Sequence, residues 1–200
     1  MTSSGSDGSA ETAVVKRGRL IGKGWIQGVA LVMLFGFTVM GLLAYRTYTD
    51  SMPQPDRVVT SSGETLFTTE DITAGQRLFQ ARGLMEYGSI LGHGGYLGQD
   101  FTAEYLRLEA TSVGDQLAAE GVADPATATR DMLRTNRYDP STGVLTWTDE
   151  QVTAYNEAVA HYTRLFGPEA HDHGLKPDLI TDPTEVRQVT AFFGWTAWGS

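Results

Sequence analysis

Residues 83–106 read GLMEYGSILGHGGYLGQDFTAEYL. Six of them are glycine (Gly83, Gly88, Gly92, Gly94, Gly95 and Gly98), interleaved with Tyr87, Tyr96, Tyr105, His93 and Asp100. Glycine at this density is poor helix and poor strand. It fits a shaped loop whose backbone takes positive φ or passes close to another group. The segment GHGGYLG lacks the Lys-Ser/Thr of a phosphate loop and the strand–turn–helix setting of a dinucleotide site. No G-x-S-x-G nucleophile turn occurs. Backbone carbonyls of such a turn can ligate a hard cation such as Ca²⁺. His93 can be a metal ligand or a hydrogen-bonded structural residue. Glu86, Asp100 and Glu104 are candidate paired carboxylates, but nothing in their spacing fixes them on one surface.

Working outward, the 200-residue chain has a net charge of −9 and no cysteine. The charge argues against a nucleic-acid partner. The missing cysteine excludes disulfides, thiolate metal sites, a cysteine nucleophile and a CxxCH-attached haem. Charge is also unevenly placed: residues 1–49 carry five basic and two acidic side chains, the remainder ten basic and 22 acidic. A basic end joins an acidic body.

The join is WIQGVALVMLFGFTVMGLLAY, Trp25 to Tyr45, without a charge. At ~1.5 Å per residue this spans ~30 Å, the thickness of a bilayer's hydrocarbon core. Trp25 and Tyr45 stand where interfacial aromatics belong. A buried helix and a cleaved signal peptide are the alternatives. The apolar core is long for a signal peptide, and TYTDSMP offers no small-x-small cleavage site. The expectation is an uncleaved anchor at 25–45, following a disordered, basic-flanked cytoplasmic tail at 1–24. The excess of Lys and Arg before it keeps that end inside and places the body outside the plasma membrane. Membrane lipid is then a partner.

The extracytoplasmic body is expected over 51–180, after the stiff linker SMPQPDR. Residues 58–68 read as a hairpin around Ser62-Gly63, and 69–83 as a helix capped by Thr69 or Asp71 with Ile72, Leu78 and Phe79 inward. Residues 101–121 are helical, with Tyr105, Leu108 and Leu117 near one stripe. Asp124-Pro125 opens another helix, 137–148 form a second hairpin, and Thr148 to Gln151 is a capping box before a helix to Phe166. Residues 167–178 are expected as loop. His171 and His173 have a metal-compatible spacing only on a strand, and on a loop they are solvated side chains; His161 sits on a helix face. Asp182 to Glu185 reads as a further capping box, and 183–200 become apolar and aromatic (Phe192, Phe193, Trp195, Trp198). This segment is expected to begin a second transmembrane helix, with a helix lying on the membrane surface as the alternative.

Taken together, GQRLF…GLMEYGSILGHGGYLGQDFTAEYL, NRYDPSTGVLTWT and DPTEVRQVTAFFGWTAW resemble the N-terminal region of quinol-dependent, single-chain nitric oxide reductases of the haem–copper oxidase superfamily. The resemblance covers about residues 25–200. It implies a mainly α membrane protein: one N-terminal transmembrane helix, a cytochrome c-like extracytoplasmic domain of helices and two small β-hairpins without haem c, and the start of a second transmembrane helix. GQRLFQARGLMEYGS stands where a haem-c protein has CxxCH. The implied activity is reduction of two NO to N₂O and water with electrons from quinol. The cofactors implied are haem b, haem b3 and a non-haem iron in the rest of the catalytic core, downstream of Ser200, with no catalytic or haem-ligating residue in this stretch. A calcium held by backbone carbonyls in a G-x-Y turn is also implied, which makes Gly94 and Tyr96 its candidate ligands. By this resemblance the 200 residues alone are inactive. The competing readings are a membrane-anchored binding or sensor module and part of a haem–copper oxygen reductase.

Overall fold

The computed structural model of the chain describes residues 22–49, 52–95 and 98–200. The chain divides into two units, Met1–Ser51 and Met52–Ser200. In the first, α1 (Lys23–Thr49) is one continuous helix whose described side chains are all exposed. Its 26 residues Lys23–Tyr48 have a mean hydropathy of 2.1, and it is the one helix among the described residues long and apolar enough to cross a membrane. Apolar side chains all round a helix suit a lipid surrounding. Gly28, Gly36 and Gly41, poor in a soluble helix, are accommodated within it.

The second unit is mostly helical. It holds β1 (Arg57–Val59), β2 (Thr65–Thr68), α2 (Thr69–Ala81), α3 (Leu84–Tyr87), β3 (Gly88–Ile90), β4 (His93–Gly94), β5 (Gln99–Asp100) and α4 (Phe101–Ala119). Then follow α5 (Pro125–Arg134), β6 (Tyr138–Asp139), β7 (Val144–Thr146), α6 (Asp149–Phe166), a 3-10 turn (Ala170–His173) and α7 (Pro183–Trp198). Both expected hairpins form. They also join into one sheet, β2-β1-β7-β6, through a parallel pairing of Val58 with Leu145 and a Trp147 N–H donated to the Val59 carbonyl at 2.9 Å.

Local chemistry sets the helix ends. The α2 cap is Thr68, one residue earlier than expected: Asp71 returns its carboxylate to the Thr68 N–H, so the pair is a capping box. Gly83 follows α2 in the left-handed region, φ 68°. Thr148 and Gln151 form the anticipated box, and Asp124 with Pro125 opens α5. At α7 the Asp182 carboxylate accepts from the Thr184 and Glu185 N–H groups, but the box is not reciprocal. The Glu185 side chain instead accepts from Arg82 at 2.8 Å and ties α7 to the end of α2. The stretch expected as loop contains the 3-10 turn, closed by Gly174 at φ 74°.

Helix α7 is where the structure departs most from the expectation. Over its described length it is the central core helix of the domain and meets α2, α4 and α6. Val186, Val189, Ala191, Phe192, Phe193 and Ala197 are buried, Trp195 and Trp198 are half-buried, and the exposed positions are in the first turns, at Pro183, Thr184 and Arg187. Of its aromatics, Phe192 and Phe193 pack inward. Phe193 stacks on Phe101 at 4.8 Å and takes Phe79 and Tyr162 edge-on. Such pairs add ~1 kcal/mol each beyond area burial. The Trp195 indole N–H donates to the Pro53 carbonyl at 3.0 Å. Close approach of α2 to α7 depends on Gly75, where a Cβ would strike the Gln188 backbone carbonyl and come within 2.8 Å of the Phe192 Cβ.

Candidate functional site: the glycine-rich loop and its surroundings

The glycine-rich stretch is a small three-stranded sheet, β4-β3-β5, between α3 and α4. A two-residue turn at Leu91-Gly92, both at positive φ (52° and 75°), closes the β3–β4 hairpin. That geometry matches the twist of a hairpin. The glycine density follows from chain crossings. A Cβ at Gly98 would strike the Tyr87 carbonyl, and Gly94, at φ 144°, lies against the Gly88 carbonyl and the Ser89 Cα. What these backbones approach is chiefly each other.

Asp100 ties the loop together. One carboxylate oxygen accepts from the Ala103 N–H at 2.9 Å and so caps α4. The other accepts from the Ser89 hydroxyl and the Gly92 N–H, both at 2.7 Å. Partial burial pushes its pKa up, but the bonds from Ala103, Gly92 and Ser89 outweigh that and hold the carboxyl below its ordinary value. Thr102 continues the linkage: its hydroxyl accepts from the Leu91 N–H and donates to Thr196 on α7, each at 3.1 Å. The loop is thereby fastened to the core helix.

The three carboxylates do not converge. Glu86 is exposed beside Gly83. Glu104 accepts from Arg107 at 3.1 Å and lies 3.4 Å from the His161 Nε2. His161 is pushed below its ordinary pKa by burial, against the pull of Glu104, so it is neutral near pH 7. His93 stands exposed on the edge strand β4, while His171 and His173 lie on the 3-10 turn. Among the described residues no three His, Asp or Glu side chains gather as a metal site.

Of the two candidate calcium ligands, Tyr96 lies outside the described residues. Gly94 is described. It pairs with Ser89, flanked by the Ile90–His93 pair and by the Gly95 N–H donated to Gly88 at 2.9 Å. This places Gly94 in a non-hydrogen-bonded pair on an edge strand, so its carbonyl turns away from β3. One outward carbonyl is one of the six to eight oxygens that Ca²⁺ takes. The Asp100 carboxylate nearby is already engaged.

Residues 75–89, which the resemblance sets in the place of a haem attachment, hold the end of α2, Gly83, α3 and the start of β3. The interior beside them is filled by Phe79, Phe101, Phe166, Tyr162 and Phe193, all buried. One buried group escaped the sequence reading. Glu109, on α4, is 5 % exposed, and its carboxylate accepts from the Gln151 side chain at 2.9 Å. Burial raises its pKa to about 7, against a lowering by that bond. The signal was present: Glu109 follows Tyr105 by four residues, on the buried stripe of α4.

Among curated proteins none matches the chain. The family of NorB cytochrome c-like domains, from nitric oxide reductases, matches residues 55–200, the compact unit almost from end to end. Because that match covers well over half of the chain, the chain belongs to the family of NorB cytochrome c-like domains.

Proposed function

We propose that the chain is the N-terminal part of a membrane nitric oxide reductase that takes its electrons from quinol and reduces two NO to N₂O and water. The observation that carries this is a NorB cytochrome c-like domain without a single cysteine, preceded by an apolar helix of membrane-spanning length. A c-type haem is attached through CxxCH. A domain without that motif has no covalent haem to relay electrons from a soluble cytochrome, which favours a donor dissolved in the membrane. Helix α1 is the anchor, with the N-terminus in the cytoplasm and the domain outside the plasma membrane, in keeping with the basic residues before it. The catalytic haem b, haem b3 and non-haem iron belong to a core downstream of Ser200, with α7 running on into that core. The glycine-rich loop caps that core, and the outward Gly94 carbonyl, with Tyr96, contributes to a calcium site there.

Donor choice tests this reading. Membranes containing the protein with its downstream core, supplied with NO, are given either a reduced quinol or reduced cytochrome c. Quinol-driven NO loss is expected, with cytochrome c inert. NO loss driven only by cytochrome c contradicts the proposal.

A further inference from the structure

The apolar interior of the domain falls into a large cluster around Phe193 and a small one at the corner where α4, α5 and α6 meet. The small cluster is Val113 and Leu117 of α4 with Ala154 of α6, backed by Ala128 and Met132 of α5. Glu109 stands between the two. On the buried stripe of α4 it lies one turn after Tyr105, of the large cluster, and one turn before Val113, of the small one. Its partner across the seam, Gln151, is fully committed. The Gln151 Oε1 accepts from the Thr148 N–H at 3.3 Å, so its Nε2 is the end that meets Glu109, at 2.9 Å. The Thr148 hydroxyl donates in turn to the Met132 sulfur at 3.4 Å. One chain of bonds thereby joins all three helices of the corner.

Nothing around Glu109 answers a negative charge. Among the described residues no basic side chain pairs with it. On α5, Arg130, Asp131 and Arg134 are exposed, and on α7 the charges, Glu185 and Arg187, stand in the first turns. On α6, His161 lies against Glu104 instead and is neutral near pH 7. The titratable neighbour is Tyr105, whose buried hydroxyl stays protonated. An ionised carboxylate so placed is costly unless water reaches it.

We infer that Glu109 is a proton-operated latch on the α4–α5–α6 corner: protonated, it seals the corner; ionised, it lets the corner open to water while the large cluster holds. The step is loss of the carboxyl proton to water. Burial raises the pKa to about 7, so the closed corner is favoured in acid and that preference is lost as pH rises through neutrality. A small cluster held apart from the main core is the kind of unit that opens by itself.

The test is amide hydrogen exchange, read by mass spectrometry, of the whole 200-residue chain in neutral detergent at pH 5 and pH 8.5, corrected for the intrinsic pH dependence of exchange. Protection over α5 and the first half of α6 is expected to fall on the order of tenfold or more. At pH 8.5 the corner should exchange faster than α2 and, unlike α2, should be insensitive to low urea, because little surface is exposed in a local opening. Glu109→Gln should abolish the fall, and Asp115→Asn, which removes an exposed carboxylate from the same helix, should keep it. Equal protection of the corner at both pH values overturns the latch. So does a corner that shares the protection and urea dependence of α2, since the opening is then unfolding of the whole domain. A fall that survives in Glu109→Gln or vanishes in Asp115→Asn overturns it as well. A pH series on the unaltered chain needs no variant: the fall should level off above about 7, and protection still falling beyond pH 8.5 contradicts the proposal.

Discussion

Replacing Glu109 by glutamine should stabilise the domain at alkaline pH and do little in acid. Glu109 is buried, with Gln151 as the hydrogen-bond partner of its carboxylate, and burial lifts its pKa from the ordinary 4.5 to about 7. The sign follows from linkage. A carboxyl whose folded pKa is raised is preferred protonated by the fold. Its contribution is fully present below pH 4.5 and is lost as pH rises through about 7. Separation of that size corresponds to ~3 kcal/mol at ~1.4 kcal/mol per tenfold, an order-of-magnitude ceiling. For a domain of this size that is ~6–12 °C in Tm. Glutamine keeps the shape, still accepts from Gln151 and has no charge to bury. The assay is thermal melting of the 200-residue chain in neutral detergent at pH 5 and pH 8.5, followed through near-ultraviolet circular dichroism of the aromatic core. Unaltered protein should lose stability between the two; Glu109→Gln should melt alike at both and several degrees higher at pH 8.5. The reasoning is refuted if Glu109→Gln keeps the full pH dependence, or if it melts lower than the parent at pH 8.5. Tyr105 marks the same region: burial first, then the charge on Glu109, push its hydroxyl far above the ordinary range, so it does not ionise in this window.

Other changes have equally definite outcomes. Gly75→Ala sets a Cβ against the Gln188 carbonyl where α2 crosses α7, and should cost ~1–3 kcal/mol in chemical denaturation despite alanine's better helix propensity. Phe193→Ala removes the ring that stacks on Phe101 and receives Phe79 and Tyr162, and should cost ~3–5 kcal/mol, enough to leave little folded domain. Asp100→Ala unties the glycine loop and the α4 cap together, for ~1–2 kcal/mol at neutral pH. Because the folded pKa of Asp100 is lowered, its contribution is present above pH 3.8 and is lost as pH falls through the lower folded value; the variant and parent should therefore converge in strong acid. Expressed by itself, the 200-residue chain should show no haem absorbance and consume no NO; clear turnover would contradict the placing of the chemistry downstream.

Much of the fold was written locally. Asp124-Pro125 and the Thr148–Gln151 box give their helix starts because capping chemistry acts within three residues. The inward face of α2 follows from apolar spacing, with Ile72 and Phe79 buried and Leu78 half-buried. What stayed hidden depends on distant partners. Nothing near Val58 names Leu145 as its parallel neighbour, and nothing near Glu185 announces Arg82. The aromatic run of α7 is the instructive case. Phe192 and Phe193 have the same composition whether they face lipid or a protein core, and only packing against Phe79 and Phe101 separates the two. The loop's glycines depend on distant partners in the same way: the close crossings at Gly94 and Gly98 are visible only once the strands are placed.

The central claim is that this domain serves a reductase whose substrate is NO. It is tested most directly by feeding quinol to membranes that contain the protein with its downstream core while NO, O₂ and N₂O are followed together. The account predicts NO loss with one N₂O formed for every two NO consumed, and little O₂ uptake. Brisk O₂ reduction with NO left intact, or no turnover of either gas by haem-replete membranes, would contradict it.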